Sequence, residues 1–156
     1  AKKGYVDPQD FVCPEREDSI PVSLTGQELT RFSDFPSRKN LSYSFRFING
    51  SNPNKHLNSQ KIIILADLNP IFENIFNIED INSTQEFETL RITQQLLQMM
   101  STSHRSRGQN ILYGDGSVRF EKTRVIFGDD IYTIQGRFDY TGCESPSNKE
   151  DTFLVP

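Results

Sequence analysis

Between Leu41 and Ile48 the chain alternates: Leu41, Tyr43, Phe45 and Phe47 fall on one parity, Ser42, Ser44, Arg46 and Ile48 on the other. A period of two predicts a half-buried strand with its aromatic face turned to the core. Asn49-Gly50-Ser51-Asn52-Pro53-Asn54 then stops the strand as a loop. Ile62-Ile63-Ile64-Leu65 is an unbroken apolar run with polar flanks, which predicts a central strand over Lys61–Ala66, buried on both faces. Gln109–Tyr113 and Val118–Lys122 flank Gly114-Asp115-Gly116, residues that tolerate positive φ, so this stretch predicts a β-hairpin.

The spacing changes between these strands. Ile71, Phe72, Ile75, Phe76 and Ile78 recur at helical intervals after Pro70. After Asn82-Ser83-Thr84, Phe87, Leu90, Leu97 and Met100 recur less regularly. One or two amphipathic helical segments are expected over 70–100. Downstream, Val125-Ile126-Phe127 and Ile131–Ile134 are β-prone around Gly128-Asp129-Asp130, and the tail from Asp139 is polar and turn-rich. Upstream, residues 1–40 form a loop-rich lead-in with a short helix possible over Gly26–Phe32, which Thr25 can cap with Glu28 three residues on. The expected fold class is α+β. A single domain over 1–156 holds a β-rich core at 41–134, an antiparallel sheet packed by one or two helical segments, with a polar tail at 135–156.

Composition narrows the functional classes. The 156 residues suit one domain whose core rests on Phe, Ile and Leu, because Phe occurs 12 times and Trp not at all. A net charge of −4 argues against a nucleic-acid platform built on phosphate neutralisation. No apolar run is long enough to span a membrane, and no signal peptide is visible. The chain opens on Ala1, as a processed product or a trimmed chain would. Cys13 and Cys143 are disulfide candidates. Their bridge would close a loop of about 130 residues, stabilise by roughly 5 kcal/mol, and imply an oxidising compartment; two unpaired thiols are the alternative. Neither lies in a C-x-x-C pair and His is rare, which argues against a structural zinc site.

Catalytic chemistry finds few candidates. His56 lies in a polar loop. His104 precedes the hairpin and can hydrogen-bond across it to Asp115, setting strand register; no nucleophile stands beside it by motif. Gly114-Asp115-Gly116-Ser117 lacks the ligand spacing of a calcium loop. Asp129 and Asp130 are weak cation candidates, with two solvated turn carboxylates as the alternative. No cofactor is expected. Arg105 and Arg107 form a small basic cluster, either solvated or docking an acidic protein. The stripe Ile71, Phe72, Ile75 and Phe76 either covers the sheet or offers an apolar patch to a partner, with Met99-Met100 adding adaptable surface.

Several pieces, in order along residues 12–133, carry a family resemblance. They are Val12-Cys13-Pro14, Asn40–Phe45, Ile64–Pro70, the hairpin signature His104, Gln109, Asp115 and Gly116 within His104–Phe120, and Asp130–Thr133. Together they resemble the globular domains of planctomycete pseudopilin-like proteins, related to prepilin-type pseudopilins of type II secretion. The resemblance implies a pseudopilin-like β-rich domain and a non-enzymatic role in filament or tubule assembly, outside the reducing cytoplasm. Narrower still, the chain resembles tubule-forming accessory subunits of large redox enzymes in anammox planctomycetes, whose compartment would be the anammoxosome. The implied partners are proteins: further copies of the chain, a large enzyme complex, or a secretion or pilus-like apparatus. An extracytoplasmic ligand-binding module is a further alternative. The family's hydrophobic N-terminal helix, its route to the membrane, is absent from this sequence. The stretch Ile71–Met100 is also longer and more apolar than the resemblance implies.

Overall fold

A computed structural model of the chain describes residues 7–23, 28, 35–48, 60–75, 89–141 and 144–156. Its centre is a five-stranded antiparallel sheet in the order β5-β4-β2-β1-β9. The strands are β1 (Tyr43–Arg46), β2 (Ile63–Asp67), β4 (Gln109–Tyr113), β5 (Val118–Glu121) and β9 (Leu154–Val155). Two short pairs lie outside it: β3 (Leu90–Arg91) with β8 (Asp139–Tyr140), and β6 (Val125–Ile126) with β7 (Asp129–Asp130). Helical elements among the described residues include α1 (Pro70–Ile75), α2 (Gln94–Gln98) and three short 3-10 turns. The molecule is mostly β with a little helix.

The unbroken apolar run does become the central strand: β2 pairs with β1 on one side and β4 on the other. The hairpin forms as expected, with Leu112 opposite Val118 and Gln109 opposite Glu121. Gly116 takes φ +85, and Asp115 closes the turn by accepting from the Ser117 N–H and hydroxyl at 3.0 and 2.7 Å. The inner sheet face places Ile63, Ala66, Ile111, Tyr113 and Leu154 against Ile126, Ile131 and Tyr132. A second cluster joins Ile71, Ile92, Ile134, Tyr140 and Phe153 beneath the helices.

Three expectations change. The aromatic parity of β1 does not face the core: Ser42 and Ser44 are 0% exposed, Phe45 and Phe47 each 37%. The turn after β2 occupies the serine side. Asn69 donates its backbone N–H to Ser44 Oγ at 2.8 Å, and its side-chain amide to the Tyr132 and Leu154 carbonyls at 3.0 and 2.9 Å. The small Ser44 hydroxyl leaves room for this turn and accepts the first of those bonds.

Among the described residues the 70–100 excursion holds two helices, of six and five residues, but Leu90–Arg91 within it is a strand. Asn69 Oδ1 caps α1 through the Ile71 N–H at 3.0 Å with Pro70 in the first turn, and Thr93 caps α2. Helices this brief are marginal alone, so packing of Ile71, Phe72, Leu96 and Leu97 holds them. Ile71 is 2% exposed, and the Phe72 ring stands 6.3 Å from Phe153; these two positions of the apolar stripe belong to the interior. Residues 76–88, including Phe76, lie outside the described residues, as does most of Gly26–Phe32. The tail, finally, is not uniformly polar surface. Phe153 and Leu154 are buried, and β9 supplies one edge of the sheet.

Candidate functional site

The segment leading into β4 adopts an unusual backbone. His104 (φ 54, ψ 27), Arg105 (φ 57, ψ 39) and Ser106 (φ 56) are three successive left-handed residues, none of them glycine. Each costs on the order of 1–2 kcal/mol relative to right-handed backbone. Strain of this kind persists where the surroundings over-determine it. Thr102, just before the turn, donates its N–H and hydroxyl to the Glu73 carboxylate at 3.1 and 2.8 Å. Glu73 also meets the Arg16 guanidinium at 3.2 Å, and Arg16 holds Asp18 at 2.7 Å. Burial pushes the Glu73 carboxyl up, against the hydrogen bonds from Thr102 and the charge of Arg16. At the far end, a Cβ on Gly108 would come within 2.6 Å of the Glu121 carbonyl and 2.7 Å of the Phe120 ring. The loop is thus clamped at its start and pressed on β5 at its finish.

This clamp carries His104 to the outer face of the sheet, where three parts of the chain meet. Cys13 comes from a tight turn closed by Arg16 N–H to the Cys13 carbonyl at 3.1 Å. Asp67 ends β2, fully buried, with its Oδ2 accepting from the Asn110 N–H of β4 at 2.6 Å. His104 Nε2 lies 3.5 Å from Asp67 Oδ2, 3.8 Å from Cys13 Sγ and 2.7 Å from the Asn110 side-chain amide. His104 Nδ1 lies 2.9 Å from Glu15 Oε2. The imidazole edge packs on the Phe120 ring at 5.7 Å between centroids. The Tyr132 hydroxyl donates to the Asp67 carbonyl at 2.8 Å and ties the strand end to the core.

The electrostatics follow from burial. Loss of solvent raises the Asp67 carboxyl to about 6, opposed by the Asn110 N–H and by His104. Its Oδ1 has no hydrogen-bond partner among the described residues. Burial also raises the Cys13 thiol, reinforced by the Asp67 and Glu15 charges and opposed by backbone N–H groups at Glu15 and Arg16. Because Glu15 is an acceptor, Nδ1 carries a proton and Nε2 is left to face Asn110, Asp67 and Cys13. The order Cys13–His104–Glu15 has the connectivity of a thiol, a base and an orienting carboxylate. A nucleophilic cysteine needs a depressed pKa and access, however, and Cys13 is 2% exposed with its thiol pushed up. Beside the cluster runs an open groove of about 1120 Å³, lined by Glu15, Glu17, Arg105, Arg107, Phe120 and Lys122 among others.

Of the residues singled out in the sequence, His104 and Cys13 enter this cluster, and Arg105 and Arg107 line its groove. His104 does not bond Asp115 across the hairpin: its partners are Glu15 and Asn110, because the left-handed turn folds it away from the tip. Gln109 is buried and donates to the Thr123 carbonyl at 2.9 Å, holding the open end of the hairpin. Asp129 accepts from the Thr152 N–H at 2.6 Å, while Asp130 binds Arg124 at 2.7 Å and the Tyr132 N–H at 3.1 Å. Cys13 is a buried thiol; its proposed bridge partner Cys143 lies outside the described residues, as does His56. Asp67, Asn110 and Glu15 were not anticipated. One signal pointed to Asp67: a carboxylate directly ends the apolar run Ile62–Ala66, where burial is expected.

No protein-family model, curated protein or solved structure matches this chain. Among the described residues, no helix is long and apolar enough to cross a membrane.

Proposed function

We propose that this chain is a non-enzymatic assembly protein whose sheet makes repeated contacts with copies of itself, building a filament or tubule. One observation carries the proposal. Phe45, Leu65, Leu112 and Val118 form a row straight across the outer face, through the pairs Phe45–Leu65, Leu65–Leu112 and Leu112–Val118. The row is half-buried at Leu65 and Leu112 and open at its ends, most at β5: Phe45 is 37% exposed, Val118 63%, and neighbouring Phe120 47%. Among the described residues β5 pairs only with β4, so an apolar face runs out to a sheet edge. Exposed apolar area beside an edge strand favours association through face, edge or both. A contact between different surfaces of identical copies propagates into an open polymer unless its rotation closes a ring.

In its finer form the chain is a pseudopilin-like accessory subunit of a large redox enzyme complex, such as anammox nitrite oxidoreductase, in an extracytoplasmic or internal oxidising compartment. The sequence resemblance supports that form; a pseudopilin of a secretion apparatus is its nearest rival. A ligand-binding module is the second reading, favoured by the groove and its cations Arg105, Arg107 and Lys122.

Sedimentation velocity and electron microscopy over a concentration series test self-assembly. Growth of regular polymers by the parent protein, lost in Val118→Lys and Phe120→Asp with circular dichroism unchanged, is the expected result. A parent protein that stays monomeric throughout, or variants that polymerise equally, overturns it.

A further inference from the structure

We propose that Cys13, Asp67 and His104 bind a single zinc ion. The inference goes beyond assembly and does not depend on it. The ligand atoms of these three residues all lie within 4.8 Å of one another. Tetrahedral zinc, with bonds of about 2.3 Å to sulfur and about 2.0–2.2 Å to nitrogen and oxygen, sets S···N near 3.6 Å and N···O near 3.4 Å. The observed separations are 3.8 Å from Cys13 Sγ to His104 Nε2 and 3.5 Å from Nε2 to Asp67 Oδ2. They match that geometry within a few tenths of an ångström.

The donor set selects the metal. One thiolate excludes magnesium and calcium as preferred occupants, while imidazole with carboxylate completes a borderline-soft set suited to zinc. The charges also balance: a thiolate and a carboxylate neutralise the dication, removing the cost of a buried Asp67 anion. Zinc displaces the thiol proton to solvent, so the raised thiol of the metal-free protein presents no barrier to ligation at neutral pH when the ion is available.

The surroundings have the form of an outer shell. Glu15 orients His104 through Nδ1, leaving Nε2 as the donor, as carboxylate–histidine–zinc arrangements do. The Asn110 N–H holds Asp67 Oδ2. An ion on Nε2 displaces the Asn110 amide from that position, leaving the fourth coordination site to water or to the Asn110 oxygen. The site also accounts for the three left-handed residues, since that backbone is what turns His104 back onto Cys13 and Asp67. A bound ion fastens the N-terminal turn at Cys13 to the ends of β2 and the β4 loop, adding to the hydrogen bonds and ion pairs there.

The experiment uses the full chain, reduced and stripped with chelator. Cobalt(II) is titrated in, and X-ray absorption is recorded on the zinc-loaded form. The expected result is one ion per chain, a thiolate-to-cobalt charge-transfer band that zinc abolishes, and a zinc shell of one sulfur at about 2.3 Å with nitrogen and oxygen at about 2.0–2.1 Å. Cys13→Ser removes the band. His104→Gln and Asp67→Asn weaken binding at least tenfold, Glu15→Gln weakens it about tenfold or more, and Asp115→Asn leaves it unchanged. A zinc shell with no sulfur or with two, a band that survives Cys13→Ser, or no binding by the reduced protein overturns the site. The absorption spectrum of the parent decides the matter even if a variant fails to fold. A Cys13–Cys143 disulfide that persists in the native protein also overturns it, because the same sulfur cannot serve both.

Discussion

Asn110 and Ile111 are neighbours on β4, yet they meet opposite surroundings. Ile111 is 0% exposed and packs among Ile63, Ala66, Tyr113 and Leu154, where shape alone decides what fits. Asn110 points to the outer face, where its amide meets His104 and its backbone holds a buried carboxylate. The inner face is closed by apolar contacts and by the buried bonds of Asn69 to Ser44, Tyr132 and Leu154. The outer face is half-covered, apolar towards β5 and polar where the Cys13 turn crosses β2. Residues of opposite parity therefore do different work. Substitutions on the inner face should register as lost stability, and those on the outer face as changed pH response, ion binding or association.

The sharpest way to break that division is Ile111→Ala, which should lower unfolding free energy by about 2–5 kcal/mol in a denaturant titration, through lost transfer energy and an unfilled cavity. A loss near zero would show that the inner face is not the core. Asp67→Asn should act through pH instead, in chelator-treated protein. The folded carboxyl titrates near 6, above its unfolded value near 4, so folding holds its proton. Below about pH 4 both states are protonated and the group costs nothing. Stability then falls as pH rises towards 6 and levels off, a loss of at most about 3 kcal/mol. The groups facing Asp67 are Cys13, Glu15, Glu73 and His104; the carboxylates add to the rise and His104 opposes it. Asn at this position should flatten the curve; parallel parent and variant curves would show that Asp67 is not desolvated.

Gly108→Ala should cost about 1–3 kcal/mol by overpacking, since the added carbon meets the Glu121 carbonyl and the Phe120 ring. A neutral result in thermal melts would mean that the loop yields and does not hold His104 against β5. The smallest change is expected from Val118→Thr, within about 0.5 kcal/mol of the parent as a monomer. Its effect should appear in association alone, measured by light scattering against concentration. A large loss of monomer stability would place Val118 in the core and remove the contrast between the faces.

Much of the frame was legible because local pattern decided it. Gly114-Asp115-Gly116 between two alternating runs yields a hairpin wherever it lies, since turn chemistry and strand twist act over a few residues. The run Ile62–Leu65 became the central strand as its apolar character predicts, but burial on both faces was not realised: Ile63 is buried on the inner face while Leu65 on the outer face is only half-buried. The parity of β1 was not legible. Phe45 and Phe47 have the greater apolar surface, yet Asn69 needs the hydroxyl of Ser44, and that requirement spans 25 residues. The helical period over 70–100 describes Pro70–Ile75 and Gln94–Gln98 but not Leu90–Arg91, for a related reason. Leu90 and Ile92, inside that window, answer to β8 and Phe138 across the chain, not to their own neighbours.

By itself, then, the sequence determined an antiparallel sheet with a hairpin near the start of the chain's last third, because hydrophobic period and turn residues are properties of adjacent positions. Only the tertiary structure brought Cys13 to His104 across 91 positions, set Asp67 between them, and aimed His104 through a left-handed turn. Those contacts depend on where strand ends and loops coincide in space. A buried carboxylate, a thiol and an imidazole each look ordinary until the fold removes their water and brings them within reach of one ion.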